Sequence, residues 1–270
     1  MFRIVLSMLV MLVMLAVAGC ASAPQAPTVP PVHLTANGTD EPVVLFIHGN
    51  GASSAAWEPV EGHVERLGVT TVNLDRPGLG QSPPGPRPYR IEDEATAIEE
   101  TLREARIEGP FILVAHSYGG LIAFLLAERL EDVEGLVLVD AVIPGELTPP
   151  QVDEILAIYR PQYDLVREQA PALAEAVIPV VEALPATARN TEALTLPQGL
   201  PVIDIRAETG DAASEATAEA VMAHHRQFVT SGANRRLVVA EGSGHQVMND
   251  RPDVVIEAIA GLVGERAAAD

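Results

Sequence analysis

The sequence predicts an α/β fold: a mostly parallel sheet with helices on both faces. Three observations lead there. Short runs rich in branched apolar residues recur at Val43–Ile47, Thr70–Leu74, Phe111–Ala115, Leu136–Val139, Val202–Ile205 and Leu237–Ala240, each the length of a buried strand. Stretches with helical character separate them, at Ser53–Leu67, Ile91–Ile107, Leu121–Leu130, Ser214–Thr230 and Pro252–Val263. Finally, strand and helix alternate along the chain, which implies parallel strands joined by crossover helices.

The first segment reads as targeting rather than structure. Arg3 supplies a positive start, and Ile4–Ala18 is an apolar run shorter than the roughly 20 residues a membrane-spanning helix needs. It ends in Val17-Ala18-Gly19-Cys20, which resembles the bacterial lipoprotein box. That resemblance implies removal of residues 1–19 and a diacylglyceryl group on the Cys20 thiol, two acyl chains being enough for stable anchoring. Ala21, in place of an aspartate, resembles signals for outer-membrane sorting. The expected location is the bacterial cell envelope, at the outer membrane or cell surface. A plain secretory signal or an uncleaved anchor is the alternative. Residues 20–31 are rich in Ala and Pro and read as a solvated tether. The folded domain is then expected over 32–270, with Val32–Thr35 as a weak edge strand.

The densest information lies in Phe111-Ile-Leu-Val-Ala-His-Ser-Tyr-Gly-Gly120 and the apolar stretch that follows it. A buried strand, a tight turn and a buried helix place Ser117 at the tip of the turn with its hydroxyl exposed. Ala115, Gly119 and Gly120 are small, as the close approach of strand and helix requires. Val43-Val-Leu-Phe-Ile-His-Gly-Asn-Gly51 is a second strand ending in a glycine turn. Leu237-Val-Val-Ala-Glu-Gly-Ser-Gly-His245 is a late strand, a small-residue turn and a histidine.

These three motifs, in this order, resemble the α/β-hydrolase family from about Pro42 to Val263, and Asp75-Arg-Pro-Gly-Leu-Gly-Gln-Ser82 resembles a loop of that family. The resemblance implies the α/β-hydrolase fold and a catalytic Ser117 with His245 as its base. It also implies an oxyanion hole from the backbone N–H groups of Asn50 and Tyr118. For the acid that orients His245, Asp140 at the end of Leu136-Val-Leu-Val-Asp140 is preferred and Asp211 is the alternative. Asp75 and Asp204 rank lower. Serine at position 117 argues against dehalogenase or epoxide-hydrolase chemistry, where that family uses aspartate.

Residues 144–200 interrupt the alternation with many prolines and several short amphipathic stretches, Val152/Ile155/Leu156/Tyr159 and Leu173/Val177/Val180/Val181/Leu184. This is where the family inserts a cap, and its apolar faces are expected to line the substrate pocket. Of the remaining histidines, His48 reads as a loop brace, His116 as pointing away from the serine, His33 and His63 as surface residues, and His224 and His225 as helix residues with no further ligand pattern nearby to suggest a metal site.

The reaction implied is hydrolysis of a carboxylic ester of a small or medium apolar substrate through an acyl-enzyme. Neither a metal nor an organic cofactor is expected. The same residues also serve a thioesterase, amidase or acyltransferase, and a catalytically silent binding domain is the reading from a different class. A dinucleotide-binding reading of Gly49-x-Gly51 lacks the third glycine. The formal charge of −20 excludes nucleic acid as a partner and disfavours anionic headgroups, so any contact with a membrane is expected through the lipidated N-terminus alone. The oligomeric state has no signature in the sequence.

Overall fold

A computed structural model describes residues 29–210 and 214–268. In chain order the elements are β1 (Leu34–Asn37), β2 (Val43–Ile47), α1 (Glu58–Glu65), β3 (Thr70–Leu74), α2 (Ile91–Ala105), β4 (Phe111–His116), α3 (Gly119–Arg129) and β5 (Val133–Val139). Four helices follow before the next strand: α4 (Pro149–Tyr159), α5 (Tyr163–Gln169), α6 (Pro171–Glu182) and α7 (Leu184–Thr191). The chain then gives β6 (Val202–Thr209), α8 (Glu215–Thr230), β7 (Arg235–Gly244), α9 (Val247–Asp250) and α10 (Pro252–Ala267).

The strands form one seven-stranded sheet in the order β1-β3-β2-β4-β5-β6-β7. Only β1 runs antiparallel, paired to β3. The edge strand expected over Val32–Thr35 is Leu34–Asn37, displaced two residues along the chain. The late strands outrun their apolar runs: β6 continues to Thr209 and β7 spans Arg235–Gly244. Their ladder shifts register between Ala207 and Thr209, and pairing then resumes between Thr209 and Gly244. Pairing with a neighbour, rather than side-chain apolarity, sets those strand ends.

Each central strand is apolar on both sides because both faces are covered. On β4, Phe111, Leu113 and Ala115 pack into one apolar cluster with residues of α2 and α3. Ile112 and Val114 pack into the other, with residues of α1 and α10. β2 and β5 divide their side chains in the same alternating way. α2 carries Ile91, Ala95, Ile98 and Leu102 on its buried face and ends with Arg106 in a left-handed conformation, φ 57°.

The strand order reverses between β2 and β4. The sequence therefore sends the loop after β2 and the turn after β4 to the carboxyl edge on either side of one switch point, where open α/β sheets bind ligands. α4–α7 leave the sheet after β5 and return before β6, although β5 and β6 are direct hydrogen-bonded neighbours.

The turn after β4 leaves no room for side chains beside it. A methyl group on Gly120 would run into the Val142 carbonyl oxygen and come within 2.8 Å of Ala141 Cβ. Gly120→Ala is therefore expected to cost about 1–3 kcal/mol. At about 2–4 °C per kcal/mol for a domain of this size, thermal unfolding should occur several degrees lower. An unchanged melting temperature would contradict the close approach.

Candidate active site

Ser117 sits between β4 and α3 with φ 52°, a left-handed conformation that serine rarely adopts. Its carbonyl oxygen accepts from Gly120 N at 3.0 Å and Val142 N at 2.9 Å, which ties the turn to the segment after β5. Tyr118 is the N-cap of α3, so its backbone N–H belongs to the first, unpaired turn of that helix. Gly49 approaches from β2: a Cβ there would lie 2.9 Å from both Ser117 Cβ and His116 Nδ1. Only glycine lets the loop carrying Asn50 come this near the serine.

His48 braces that loop. Burial pushes its ring down to about 3, so it is neutral at working pH. Nδ1 donates to Gly49 O at 2.9 Å, and Nε2 accepts from Arg76 N at 3.1 Å. Asp75 accepts from the backbone N–H groups of Ser54 and Gln81 at 2.7 and 2.8 Å and so organises two loops rather than the reacting groups.

His245 follows β7. Its Nδ1 donates to Asp140 Oδ2 at 2.6 Å, leaving Nε2 as the nitrogen that can exchange a proton in the cavity Ser117 also lines. Asp140, just past β5, adopts φ 41°. Its other oxygen takes Arg206 Nη2 at 2.9 Å and the Ala207 N–H at 3.1 Å. Burial pushes the Asp140 carboxyl up, but the His245 ring and the Arg206 charge outweigh it and hold the group below the usual carboxylate range. Asp211 lies outside the described residues, as does Cys20.

Sequence reasoning missed three features. His116 does not simply point away: it packs on the His245 ring, centroids 4.6 Å apart, and its Nε2 donates to the His245 carbonyl oxygen at 3.0 Å. Burial first, and then the charge of His245, push His116 down to about 4, so it braces the turn as a neutral ring.

The second is a buried pair behind the Ser117 turn. Arg76 makes a two-pronged contact with Glu94, 3.0 Å from Nε and 3.1 Å from Nη2. Its guanidinium lies 4.9 Å from the Tyr118 ring centroid, and the Tyr118 hydroxyl meets that of Tyr89 at 2.8 Å. Glu94 on the apolar stripe of α2 was the available signal, since a lone acid there needs a cation.

The third is His225. It lies in a helix, as expected, but its ring is fully buried between Asp204 and Glu146. Asp204, an acid inside the apolar run Val202–Ile205, was the signal for it.

The cavity over Ser117 holds about 660 Å³, within the size range of small-molecule sites. Asn50, Tyr118 and His245 lie at its floor, and Ile155, Leu173, Val177 and Val181 of α4 and α6 are among the residues that roof it. Among the described residues no group of three or more His, Cys, Asp or Glu side chains is arranged to hold a metal ion.

A sequence profile of the Alpha/beta hydrolase family matches residues 44–258. Over 130 residues the chain is 31% identical to lipase LipV of Mycobacterium tuberculosis, covering 47% of this chain and 48% of that one. Over 110 residues it is 34% identical to a haloalkane dehalogenase of Mesorhizobium japonicum, covering 40% of this chain and 35% of that one. The chain thus spans less than half the length of the curated relatives it matches. A thermophilic esterase from Thermogutta terrifontis superposes with a TM-score of 0.62 at 18% identity, over 87% of this chain and 93% of that one, a likeness of fold.

Proposed function

The chain belongs to the alpha/beta hydrolase family, and on that premise we propose that it is a serine hydrolase that cleaves carboxylic esters through an acyl-enzyme. One observation carries the reading. A serine in a left-handed turn shares a cavity with a histidine whose Nδ1 is engaged by a buried carboxylate. A serine hydroxyl is a weak nucleophile and needs such a base.

His245 Nε2 takes the Ser117 proton as Oγ attacks the ester carbonyl carbon. The resulting oxyanion is stabilised by the N–H groups of Asn50 and Tyr118, each worth about 3 kcal/mol in comparable sites. The protonated ring then gives its proton to the departing alcohol. Water repeats the sequence to free the acid. Asp140 keeps the proton on Nδ1 throughout and favours the imidazolium as it forms, while Arg206 and Ala207 fix the Asp140 carboxylate. A dehalogenase among the relatives does not redirect this reading, because position 117 is serine. The apolar roof supports substrates with a small or medium apolar acyl or alcohol group.

We also propose that the protein is anchored in the bacterial envelope through a lipid on Cys20. The apolar run Ile4–Ala18 and the small residues before Cys20 support this.

Three outcomes test these readings. Ser117→Ala should lower p-nitrophenyl butyrate hydrolysis by on the order of 10⁴-fold or more and abolish labelling by a fluorophosphonate, with the melting temperature retained. Wild-type activity in that variant would end the serine-hydrolase reading. Asp140→Asn should cut turnover by on the order of 10³–10⁴-fold, because the amide favours the wrong tautomer of His245. Near-normal turnover would return the role to Asp211. Cys20→Ser should abolish metabolic labelling with a fatty-acid analogue and remove the protein from the outer-membrane fraction; persistence of both would refute the anchor.

A further inference from the structure

The cavity over Ser117 has two unlike walls. Helices α4, α6 and α8 supply most of the apolar one, and the loop after β5 and the end of β6 supply the polar one, with Asp140, Glu146, Arg206 and Glu208. Glu146, in the loop between β5 and α4, belongs to the polar wall although it is only 8% exposed. One of its carboxylate oxygens is fully engaged. Oε2 accepts the Ile143 N–H at 3.1 Å and His225 Nε2 at 3.0 Å. His225 in turn donates through Nδ1 to Asp204 Oδ2 at 2.6 Å. Both ring nitrogens face carboxylates, an arrangement met by the doubly protonated ring. Burial opposes that charge, but the hydrogen bonds to Asp204 and Glu146 outweigh it and raise His225 above the usual histidine range.

A brace between α8 and β6 needs only the Asp204–His225 half of this relay. The other half holds a carboxylate at the wall of the substrate cavity with its orientation fixed. Among the described residues none donates a hydrogen bond to Glu146 Oε1. Two further acids line the cavity, Glu208 on the same wall and Glu154 on α4, and Arg206, the one Arg or Lys among the described lining residues, is engaged by Asp140 and the Ala141 carbonyl oxygen.

We propose that Glu146 Oε1 is a substrate-recognition acceptor, selecting esters that carry a hydrogen-bond donor, hydroxyl or ammonium, or a positive charge beyond the reacting carbonyl, and rejecting esters that carry a carboxylate. The assignment rests on the serine-hydrolase reading of the same cavity. No covalent step is added; the contact acts on binding and positioning.

Glu146→Gln gives a specific test because the relay fixes how the amide must sit. Two N–H groups point at the Oε2 position, so the amide oxygen must occupy it, and the NH₂ group takes the place of Oε1. An acceptor in the cavity becomes a donor with almost no change in shape.

On the full-length chain, kcat/KM is compared for glyceryl monobutyrate against n-propyl butyrate, for butyrylcholine against 3,3-dimethylbutyl butyrate, and for monoethyl succinate against ethyl 4-methylpentanoate. The wild type should prefer the donor-bearing or cationic member of at least one of the first two pairs by about tenfold or more, the worth of one charge-assisted contact. Which pair responds separates a hydroxylated ligand from a cationic one. The succinate should be the poorer member of the third pair. Glu146→Gln should lower kcat/KM for the preferred ester about tenfold more than for its apolar partner, mainly through KM. Equal wild-type values within both of the first two pairs, or an equal loss for both members in the variant, would overturn the assignment and leave the Ser117 reading standing. Absence of all ester hydrolysis by the wild type would overturn both. If the variant fails to fold, the wild-type ratios alone decide.

Discussion

The backbone at Ser117 is held in a conformation that costs an L-residue about 1–3 kcal/mol, and much of the neighbouring structure serves to hold it there. The Ser117 carbonyl oxygen is gripped by two N–H groups, one from α3 and one from the segment after β5. Gly119 sits against the Ile47 carbonyl oxygen, Gly120 against Val142 and Gly49 against Ser117 itself. The turn therefore brings three strands' ends together, β2, β4 and β5, and through them the loop carrying Asn50, the serine and Asp140. A turn relaxed into ordinary helix or strand geometry would separate all three.

Around this turn the protein buries charge in an orderly way. Arg76 with Glu94, Arg206 with Asp140, and His225 with Asp204 and Glu146 all lie near the carboxyl edge of the sheet. Buried ion pairs gain little net stability, because desolvation offsets much of their attraction. Their value is positional, since each fixes a side chain or ring that borders the cavity. Arg76 backs the Tyr118 ring, Arg206 orients Asp140, and His225 orients Glu146. Removing one partner leaves a charge uncompensated in the interior, so these clusters hold their geometry firmly.

Strand cores and the serine turn were legible in the sequence because both are local. A run such as Phe111–Ala115 states its burial on both faces, and Ser117 amid small residues states its turn. β1 was displaced because a four-residue edge strand with three exposed positions has almost no pattern of its own. The contacts that cross the fold left weaker traces. Asp204 and His225 are 21 positions apart and Glu146 is 79 from His225. Their only sequence signature is an acid in a buried strand, which says that a partner exists and not which one. The contact of His116 with His245 was missed for a related reason: turn geometry fixes the direction of His116 relative to Ser117, but this contact spans 129 residues.

The helical layer α4–α7 leaves β5 and re-enters at β6 between two strands already bonded to each other. Its insertion breaks no rung of the ladder. Asn50, Ser117, Tyr118, Asp140 and His245 all follow strands outside this layer, and the layer itself contributes the roof of the cavity. The segment is thus a cassette: over evolutionary time it can be lengthened, shortened or rewritten while the sheet beneath it is inherited intact. Change in the apolar roof of the cavity and change in the groups at the strand ends can proceed through separate stretches of the same gene.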